Sequence, residues 1–358
     1  MLVSREGGRM KQFARGLVAA SAAVALVGCG TSSGQGPGDG ITVVTASSNP
    51  TISGTVALGI AKGTFDEAGV EVNLELGEGS QAVNTMVAGR ADLTESSATS
   101  ASSLEVGGKD ISAVWASAGG GLGLKLFTAA DGPKTVEEFE TELADGCSAG
   151  VTAPGSSGYG YMLLLKEELG LDCELVELGD TAQILGAMIS GRVDTMLSTS
   201  DDPALAAAVQ AGEVNIVLDM AKRERITELG IPQFPDRIFF GLKRNLDGKR
   251  DAMVAFASGM KEAANLYASM DAEEIADAIL SIEVLATEFP TDEDRTGLIA
   301  SIKESKPFVN WTDGHIAEKD WNNLLSAAAD WEIDGFDAAD PKRSYANIVD
   351  MSFYNAAE

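Results

Sequence analysis

The stretches "MVAGRADL" (residues 86–93) and "MISGRVDT" (residues 188–195) are nearly the same phrase, written twice at an offset of 102 residues. Extending the comparison without gaps, residues 75–96 against 177–198, gives nine identities in twenty-two positions. This offset is too long for a solenoid or a propeller, whose repeats span about 20 to 50 residues. The repeated phrase therefore predicts two copies of one supersecondary unit, one in each of two lobes.

Short β-rich runs alternate with helical stretches around both copies of the phrase. The first set contains the strands "ITVVTAS", "VEVNLEL" and "ADLTES", with helices through "GTVALGIAKGTFDEAG" and "SQAVNTMVAG". The second set contains the strands "CSAGVTA", "CELVEL" and "VDTMLST", with helices through "GYGYMLLLKEELG" and "TAQILGAMISG". This order predicts an α/β fold whose mostly parallel sheets are covered by helices on both faces.

The repeated residues themselves are interpreted as scaffold. Gly89 and Gly191 are expected to end a helix in the left-handed conformation. Ser80 and Thr181 can cap a helix N-terminus with their hydroxyl groups. Polar contacts at the turn that follows the helix are expected for Arg90 with Asp92 and for Arg192 with Asp194.

The N-terminus is typical of an export signal. A basic segment is followed by the apolar run "LVAASAAVALVGC", which is too short to span a bilayer. The run ends in Leu26-Val27-Gly28-Cys29, which resembles the bacterial lipobox, and the flexible tether "GTSSGQGPGDG" follows it. We expect a signal peptide at residues 1–28 and lipidation of Cys29, which would anchor the exported protein to the outer face of the cell membrane. An ordinary secretory peptide is the alternative.

Composition and charge limit the partners. The chain has 45% apolar and 22% charged residues, enough for hydrophobic cores, and its size favours two lobes. Its net charge of −28 becomes −31 when residues 1–28 are removed, because that segment carries four basic residues and one acidic residue. So acidic a protein argues against nucleic acid as a partner. We expect a monomer.

The remaining two cysteines open the strands "CSAGVTA" and "CELVEL", which a single helix connects. We predict a disulfide between Cys147 and Cys173, because the two strands are expected to be parallel neighbours and an exported protein enters an oxidising compartment. Two buried thiols are the alternative. The chain has one histidine, His315, and no cysteine cluster, so no metal site or cofactor is expected.

Ligands of open parallel sheets bind beyond the carboxyl ends of the strands, where helix N-termini present unpaired N–H groups. Five segments rich in Ser, Thr and Gly fall there, although ordinary capping loops would have the same composition. They are residues 47–51, 77–80, 96–100, 154–160 and 198–202. The candidate ligand-binding residues are Ser48, Asn49, Thr51, Gly79, Ser80, Ser97, Thr99, Ser156, Ser157, Tyr159, Thr199, Asp201 and Phe239.

The charges of these segments bear on the ligand. None of the five contains Arg or Lys. Three carboxylates lie in them, Glu78, Asp201 and Asp202, and a fourth, Glu95, lies at the flank of one segment. This favours a ligand with N–H donors, such as an amine or a pyrimidine. Two alternatives stay open: the aspartates could cap a helix before Pro203, and Arg237 could bring a cation to the site. The aromatic residues Trp115, Tyr159, Phe239 and Phe240 could stack on a ligand or belong to the core.

Four longer stretches resemble one protein family. They are "ALGIAKGTFDEAGVEVNLEL", "MVAGRADL", "TVEEFETELADGCSAGVTAPGSSGYGYMLLLKEELGL" and "DWNNLLSAAADWEIDGFDAADPKRSYANIVDMSF". In this order they look like the type II solute-binding proteins of ABC importers, in the branch that binds alkanesulfonates, nitrate, taurine and thiamine precursors. The resemblance implies a type II periplasmic-binding-protein, or Venus-flytrap, fold with two lobes joined by a two-crossing hinge. It also implies a small-molecule ligand and an ABC permease as partners.

The same resemblance implies the domain boundaries. Lobe 1 would comprise residues 41–128 plus 236–358, with mainly helical content after the second crossing, and lobe 2 would comprise residues 129–235. Residues 29–40 would be the tether. The two crossings are expected near Phe127–Asp131 and near Pro235–Phe239.

The alternatives to a solute-binding protein of this ligand type differ in ligand or in class. An anion such as sulfonate, taurine or nitrate is the alternative ligand. A fungal relative on this fold is a thiamine-pyrimidine synthase, but its histidine and Cys-rich motif have no counterpart here, so an enzyme is not expected. A sensory lipoprotein without a permease would share the same cleft.

Overall fold

A computed structural model describes residues 40–45, 49–77, 80–119, 123–143, 146–152, 156–179, 181–199, 203–220, 233–331, 333 and 335–357. They belong to a compact unit that spans Pro37–Glu358. The predicted signal peptide, Cys29 and the tether up to residue 39 lie outside the described residues and stay predictions. Gly40, assigned to the tether, is instead the first residue of a strand.

The first sheet has five strands in the order β2-β1-β3-β10-β4. β1 is parallel to both β2 and β3, whereas β10 is antiparallel to β3 and β4. Four strands therefore run in one direction and β10 runs against them. The strands are β1 (Gly40–Thr45), β2 (Glu71–Leu76), β3 (Leu93–Ser97), β4 (Ile111–Gly119) and β10 (Pro235–Leu242).

The second sheet repeats this arrangement in the order β7-β6-β8-β5-β9. β6 is parallel to β7 and β8, and β5 is antiparallel to β8 and β9. The strands are β5 (Leu124–Ala129), β6 (Cys147–Val151), β7 (Cys173–Glu177), β8 (Thr195–Thr199) and β9 (Val214–Asp219). The two equivalent sheets confirm the α/β, two-sheet fold predicted from the repeat.

The strand that enters each sheet from the other sheet takes the antiparallel position. β5 follows β4 in the chain but pairs with β8 from its first residue, Leu124, so the first crossing lies between Gly119 and Leu124. β10 pairs with β4 from Pro235, so the chain has returned before that residue. The first crossing therefore lies earlier than the predicted Phe127–Asp131, and residues 124–128 belong to the second sheet. The assignment of the full ranges to lobes otherwise stays a prediction.

Helices connect the parallel strands as predicted, with one correction. The expected helix through residues 54–69 is two helices, because the chain turns at Gly63, where φ is 74°. The helices of the two repeated units are α1 (Pro50–Lys62), α2 (Thr64–Ala68), α3 (Ser80–Val87), α4 (Ala98–Val106), α5 (Val136–Glu142), α6 (Ser157–Glu168), α7 (Thr181–Ile189) and α8 (Pro203–Ala211).

The chain after β10 is mainly helical, as predicted. Its longest helix packs on α1 and α2, where the Phe256 ring stacks on Phe65 with ring centroids 5.4 Å apart. The α-helices are α9 (Lys243–Gly248), α10 (Arg250–Ser269), α11 (Ala272–Ile279), α12 (Glu283–Glu288), α13 (Asp292–Ser305), α14 (Glu318–Ala329), α15 (Tyr345–Ile348) and α16 (Ser352–Ala356), with 3₁₀ turns at Trp311–Gly314 and Pro341–Arg343.

The repeated phrase is scaffold in both units. Gly89 and Gly191 follow α3 and α7 with φ values of 72° and 71°, in the left-handed region that glycine adopts without strain. Asp92 Oδ2 then accepts from the backbone N–H of Thr42 in β1 at 2.9 Å. Asp194 Oδ2 accepts from the backbone N–H of Ser148 in β6 at 2.7 Å. Each aspartate thus ties the start of the third strand of its repeated unit to the first strand of that unit. These bonds span 50 and 46 residues, so they correct the prediction of a local polar contact at the turn.

Cys147 and Cys173 open two neighbouring parallel strands, as the sequence predicted. They face each other in the register of β6 and β7, and the structure joins them by a disulfide. The bond therefore links the first residues of two paired strands.

One hydrophobic cluster contains side chains from both sheets, among them Val44 and Leu126. Part of this cluster is aromatic: Tyr161 of α6 lies 5.8 Å from both Phe234 and Trp331, measured between ring centroids. Phe234 precedes β10 and Trp331 follows α14, so the C-terminal region packs directly on a helix of the second unit. No helix in the described part of the chain combines the length and apolar character needed to cross a membrane.

Candidate ligand-binding site

The carboxyl ends of the parallel strands collect at one edge of each sheet. At the first edge α1, α3 and α4 begin, and at the second edge α6, α7 and α8 begin. Helix N-termini leave backbone N–H groups without intrahelical partners and carry the positive end of the helix dipole. The two edges are therefore suited to a small polar ligand. The strand ends are Thr45, Leu76 and Ser97 in the first sheet, and Val151, Glu177 and Thr199 in the second.

Hydroxyl groups at the first edge cap helices. Ser97 Oγ accepts from the backbone N–H of Ser100 at 3.2 Å, and the Thr99 hydroxyl donates to Ser97 Oγ at 3.1 Å. The carbonyl oxygen of Asn49 accepts from the backbone N–H of Ser53 at 2.9 Å in the first turn of α1. Asn49 and Ser97 are half-buried, whereas Thr99 is buried. These bonds agree with the capping alternative for Ser97.

The second edge has a similar set of contacts. Ser156 Oγ accepts from the backbone N–H of Tyr159 at 3.3 Å and also contacts the Thr152 hydroxyl. The Thr181 hydroxyl lies 3.4 Å from Ser198 Oγ in the neighbouring strand β8. Thr181 is the first residue of α7 and its hydroxyl faces that strand, which corrects the prediction that it caps its own helix.

The remaining candidates divide by position. Thr199 is half-buried at the end of β8. Thr51, Ser80 and Ser157 lie in the first turns of α1, α3 and α6. Ser48, Gly79 and Asp201 lie outside the described residues, as do Glu78 and Asp202.

The aromatic candidates lie in the hydrophobic cores. Phe239 is 1% exposed and its ring lies 6.4 Å from that of Phe256, so its assignment to the ligand site is corrected to a core role. Trp115 and Phe240 are equally buried, and Tyr159 is 8% exposed in the cluster shared by both sheets. The reason is that β4 and β10 are covered on both faces, so aromatic side chains that point to either face of the sheet are buried.

Arg237 and Glu95 form an ion pair at the first edge. Arg237 Nε donates to Glu95 Oε1 at 2.9 Å, and Arg237 Nη2 donates to Glu95 Oε2 at 2.5 Å. The hydroxyl of Ser117 also donates to Glu95 Oε1, at 2.8 Å. Both charged residues are among those considered for the ligand site above, but their pairing was not predicted. A glutamate inside a buried strand is itself a signal, because a buried carboxylate needs a cationic partner.

The ion pair between Arg237 and Glu95 bears on the charge of the ligand. Glu95 was one of four carboxylates that favoured a ligand with N–H donors, and Arg237 was the cation that could oppose them. Because each neutralises the other, the described part of the first edge offers a ligand hydroxyl groups and helix N-termini rather than this carboxylate.

A second cation, Lys125 in β5, is not among the predicted site residues. Its Nζ lies 2.5 Å from Glu304 Oε2 in α13 and 3.8 Å from Asp219 Oδ2 in β9, and the residue is 4% exposed. Lys125 is in register with Ser198, at the second edge. A lysine within the apolar strand "LKLFTA" could have signalled a nearby carboxylate.

Shifted pKa values occur away from both edges, in the C-terminal region. Burial raises the pKa of the Asp320 carboxyl, and the nearby charges of Lys319 and His315 oppose this shift. A hydrogen bond from Lys303 lowers the pKa of Glu273. Among the described residues no group of three or more His, Cys, Asp or Glu side chains is arranged to hold a metal ion.

An open groove of ≈ 530 Å³ lies elsewhere, between β2 and the segment that contains α12. Val72, Leu74 and Val284 form part of its lining, together with the polar residues Asn73 and Thr287. It flanks an outer strand of the first sheet and contains none of the candidate residues.

No protein-family model matches this chain, and no curated protein matches it. Solved structures do match. The periplasmic nitrate-binding protein NrtA from Synechocystis PCC 6803 has a TM-score of 0.66 at 12% sequence identity, with 89% of this chain and 88% of that chain covered.

Two further solved structures have similar scores. The ligand-binding component of an ABC-type import system from Staphylococcus aureus, with zinc bound, has a TM-score of 0.65 at 15% identity and covers 89% of this chain and 99% of its own. The periplasmic aliphatic sulphonate binding protein SsuA from Escherichia coli has a TM-score of 0.59 at 16% identity, with 82% of this chain and 86% of that chain covered. These likenesses show that the chain has the fold of periplasmic binding proteins, as the sequence motifs predicted.

Proposed function

We propose that this protein is the extracytoplasmic solute-binding component of an ABC importer. The observation that carries the proposal is the pair of equivalent sheets, each with its helix N-termini at the carboxyl edge of its strands and joined by two crossings. Proteins with the same fold bind nitrate or aliphatic sulphonate, or belong to an ABC-type import system. The protein would capture a small polar organic molecule and deliver it to a membrane permease.

The mechanism needs no covalent chemistry. A ligand that contacts both edges binds the closed arrangement of the two halves better than the open arrangement, and it shifts the population by that difference in affinity. The permease would then recognise the closed form. In this proposal the protein is a binding protein and not an enzyme.

The proposed ligand carries an amine or a pyrimidine. The support is the acidic composition of the loops at the two edges, where Glu78, Asp201 and Asp202 accompany hydroxyl residues and no Arg or Lys occurs in the five segments. The pairing of Glu95 with Arg237 takes one carboxylate out of this argument. An anion is the alternative ligand that the experiment below must distinguish.

The proposed location is the outer face of the cell membrane. The lipobox-like sequence before Cys29 supports a lipid anchor, and a tethered protein stays at a high local concentration near its permease. The strongly negative charge supports the proposal that nucleic acid is not a partner.

A thermal-shift screen tests the proposal, with spermidine, pyrimidines, amino acids, taurine, other sulfonates and nitrate as probes. At least one probe should raise the Tm of the wild-type protein, and Ser97→Ala and Ser156→Ala should each reduce that shift. Ser190→Ala is the matched control, because its exposed hydroxyl bonds the carbonyl groups of Gly186 and Ala187 at the end of α7.

The outcomes separate the parts of the proposal. If no probe raises the Tm, or if a shift persists unchanged in both edge variants, the proposed site is wrong. If only anions raise the Tm, the binding function stands and the amine or pyrimidine assignment is wrong.

A further inference from the structure

Glu95 is a fully buried carboxylate on which three neighbouring strands meet. The residue is 0% exposed, and both of its carboxylate oxygens accept hydrogen bonds. Arg237 of β10 donates two of these bonds, and Ser117 of β4 donates the third. Glu95 itself belongs to β3, so a single side chain joins β3, β10 and β4.

The same network lies beside both crossings and beside one of the candidate helix N-termini. Ser117 is near the end of β4, from which the chain leaves the first sheet, and Arg237 is near the start of β10, where the chain returns. Arg237 is in register with Ser97, the last residue of β3. Ser97 is the residue whose hydroxyl caps α4 through the Ser100 backbone N–H.

Stability alone is a poor explanation for this buried pair. Removing two charges from water costs free energy that their attraction repays only in good geometry, and apolar residues of similar volume often stabilise a protein equally well. What an apolar pair does not supply is a directional contact. The bidentate guanidinium–carboxylate contact restricts both the distance and the orientation of the strands that carry it.

We infer that Glu95 and Arg237 are positioning residues for the ligand site. Their ion pair holds β10 in register against the end of β3, and thereby holds Ser97 and the N-terminus of α4 in the geometry that receives ligand. Neither side chain needs to touch the ligand in this role. The inference rests on the proposed function, because it concerns the ligand site. The effect of the ion pair on the N-terminus of α4 can nevertheless be measured without any ligand.

Hydrogen–deuterium exchange on the ligand-free protein is the test. In the triple variant Glu95→Leu, Ser117→Ala, Arg237→Met all members of the network become apolar, so no buried charge is left without a partner. We expect a Tm close to that of the wild type, together with exchange about tenfold faster at the backbone amides of residues 98–103. A peptide of the second sheet, residues 195–199, should keep its exchange rate.

Two further variants separate positioning from general stability. Arg237→Lys keeps the positive charge but not the bidentate contact, and it should speed exchange at residues 98–103 by a smaller factor. It also serves if the triple variant does not fold. Lys249→Met is the matched control: it breaks the ion pair with Asp92, where the two groups are 2.8 Å apart at the opposite end of β3, and should leave that exchange unchanged.

Wild-type exchange at residues 98–103 in both the triple variant and Arg237→Lys would overturn the inference. Faster exchange to the same degree at residues 195–199 would also overturn it, because the effect would then be a general loss of stability. Failure of the proposed function shows itself elsewhere, as a wild-type protein whose Tm no probe raises, and it leaves the exchange result interpretable.

Discussion

The Nζ atom of Lys125 lies 2.5 Å from Oε2 of Glu304 and joins the second sheet to a helix that follows the return crossing. Only 5% of the Lys125 side chain is exposed, whereas the Glu304 side chain is 47% exposed. A buried ammonium group without a close carboxylate is costly. The contact therefore holds the end of α13 against β5, immediately after the first crossing.

Glu304→Gln should destabilise the protein. The variant leaves Lys125 with the more distant carboxylate of Asp219, at 3.8 Å. We expect the free energy of unfolding to fall by about 1.5–3 kcal/mol, the range for a hydrogen bond to a charged group. Urea unfolding measures this change.

Glu273→Gln is the matched control for that experiment. It breaks a second ion pair of α13, with Lys303 at 2.7 Å, but both side chains there are more than half exposed. Exposed pairs contribute little because water screens them. Equal losses of stability in the two variants would show that the burial of Lys125 is irrelevant.

Gly160→Ala should destabilise the contact between α6 and the C-terminal region. A Cβ atom at this position would lie 2.1 Å from the Trp331 ring, which is itself fully buried. Overpacking of this kind costs about 1–3 kcal/mol. Chemical denaturation followed by tryptophan fluorescence would report the loss.

Gly186→Ala tests the same substitution in a helix with open space beside it, since no heavy atom lies within 4 Å of its added Cβ. Here the change should raise the free energy of unfolding by about 0.5–1 kcal/mol, the helix preference for alanine. A gain of stability in Gly160→Ala would contradict the packing described for Trp331.

The disulfide between Cys147 and Cys173 should be present in the exported protein and should stabilise it. Its partners are 26 residues apart. Closing a loop of that size reduces the entropy of the unfolded chain, so the double variant Cys147→Ser/Cys173→Ser should lose about 3 kcal/mol. Peptide mapping by mass spectrometry without reductant should find the two peptides joined, and recovery of both as free thiols would refute the bond.

Cys29→Ser should release the protein from membranes. The prediction follows from the lipobox-like residues before Cys29, because serine has no thiol with which to form the thioether bond to the lipid. Fractionation of cells that express each form measures the distribution between membrane and soluble material. Retention of the variant on membranes, at the level of the wild type, would show that something other than this cysteine anchors the chain.

Asp320→Asn should stabilise the protein at neutral pH more than at acid pH. Burial raises the pKa of this carboxyl in the folded state, so its ionised form is less favourable there than in the unfolded chain. The penalty is absent below the unfolded pKa, where both states are protonated, and it is complete above the folded pKa. Urea unfolding at both pH values should give a gain that shrinks on acidification, and a pH-independent gain would contradict this assignment.

The repeated phrase predicted much of the fold because backbone requirements leave local marks in a sequence. Gly89 and Gly191 occupy left-handed positions that other residues avoid, and Asp92 and Asp194 make equivalent bonds to the first strand of each repeated unit. The glycine turns are local, so residue type and position identify them. The aspartate bonds reach 50 and 46 residues back along the chain, and the repeat marked these residues as scaffold without showing their partners. The β-α-β pattern likewise predicted mostly parallel sheets covered by helices.

Pairings between distant segments could not be predicted in the same way. The antiparallel position of β5 depends on hydrogen bonds to β8, in which Leu124 pairs with Thr199, 199 − 124 = 75 residues later, and the first crossing lies earlier than expected for this reason. Phe239 also went to the core rather than to the site, because its strand is covered on both faces. No local pattern distinguishes these outcomes.

The sequence by itself determined two equivalent α/β units, the turns that end their helices and the edges at which a ligand is expected, because these depend on backbone propensity and hydrophobic period. Only the tertiary structure decided which charges remain at those edges. Glu95 and Arg237 are 142 residues apart in the chain yet form one ion pair. Electrostatic interactions depend on distance in space and on burial, so charges read one at a time could not show that this pair neutralises itself.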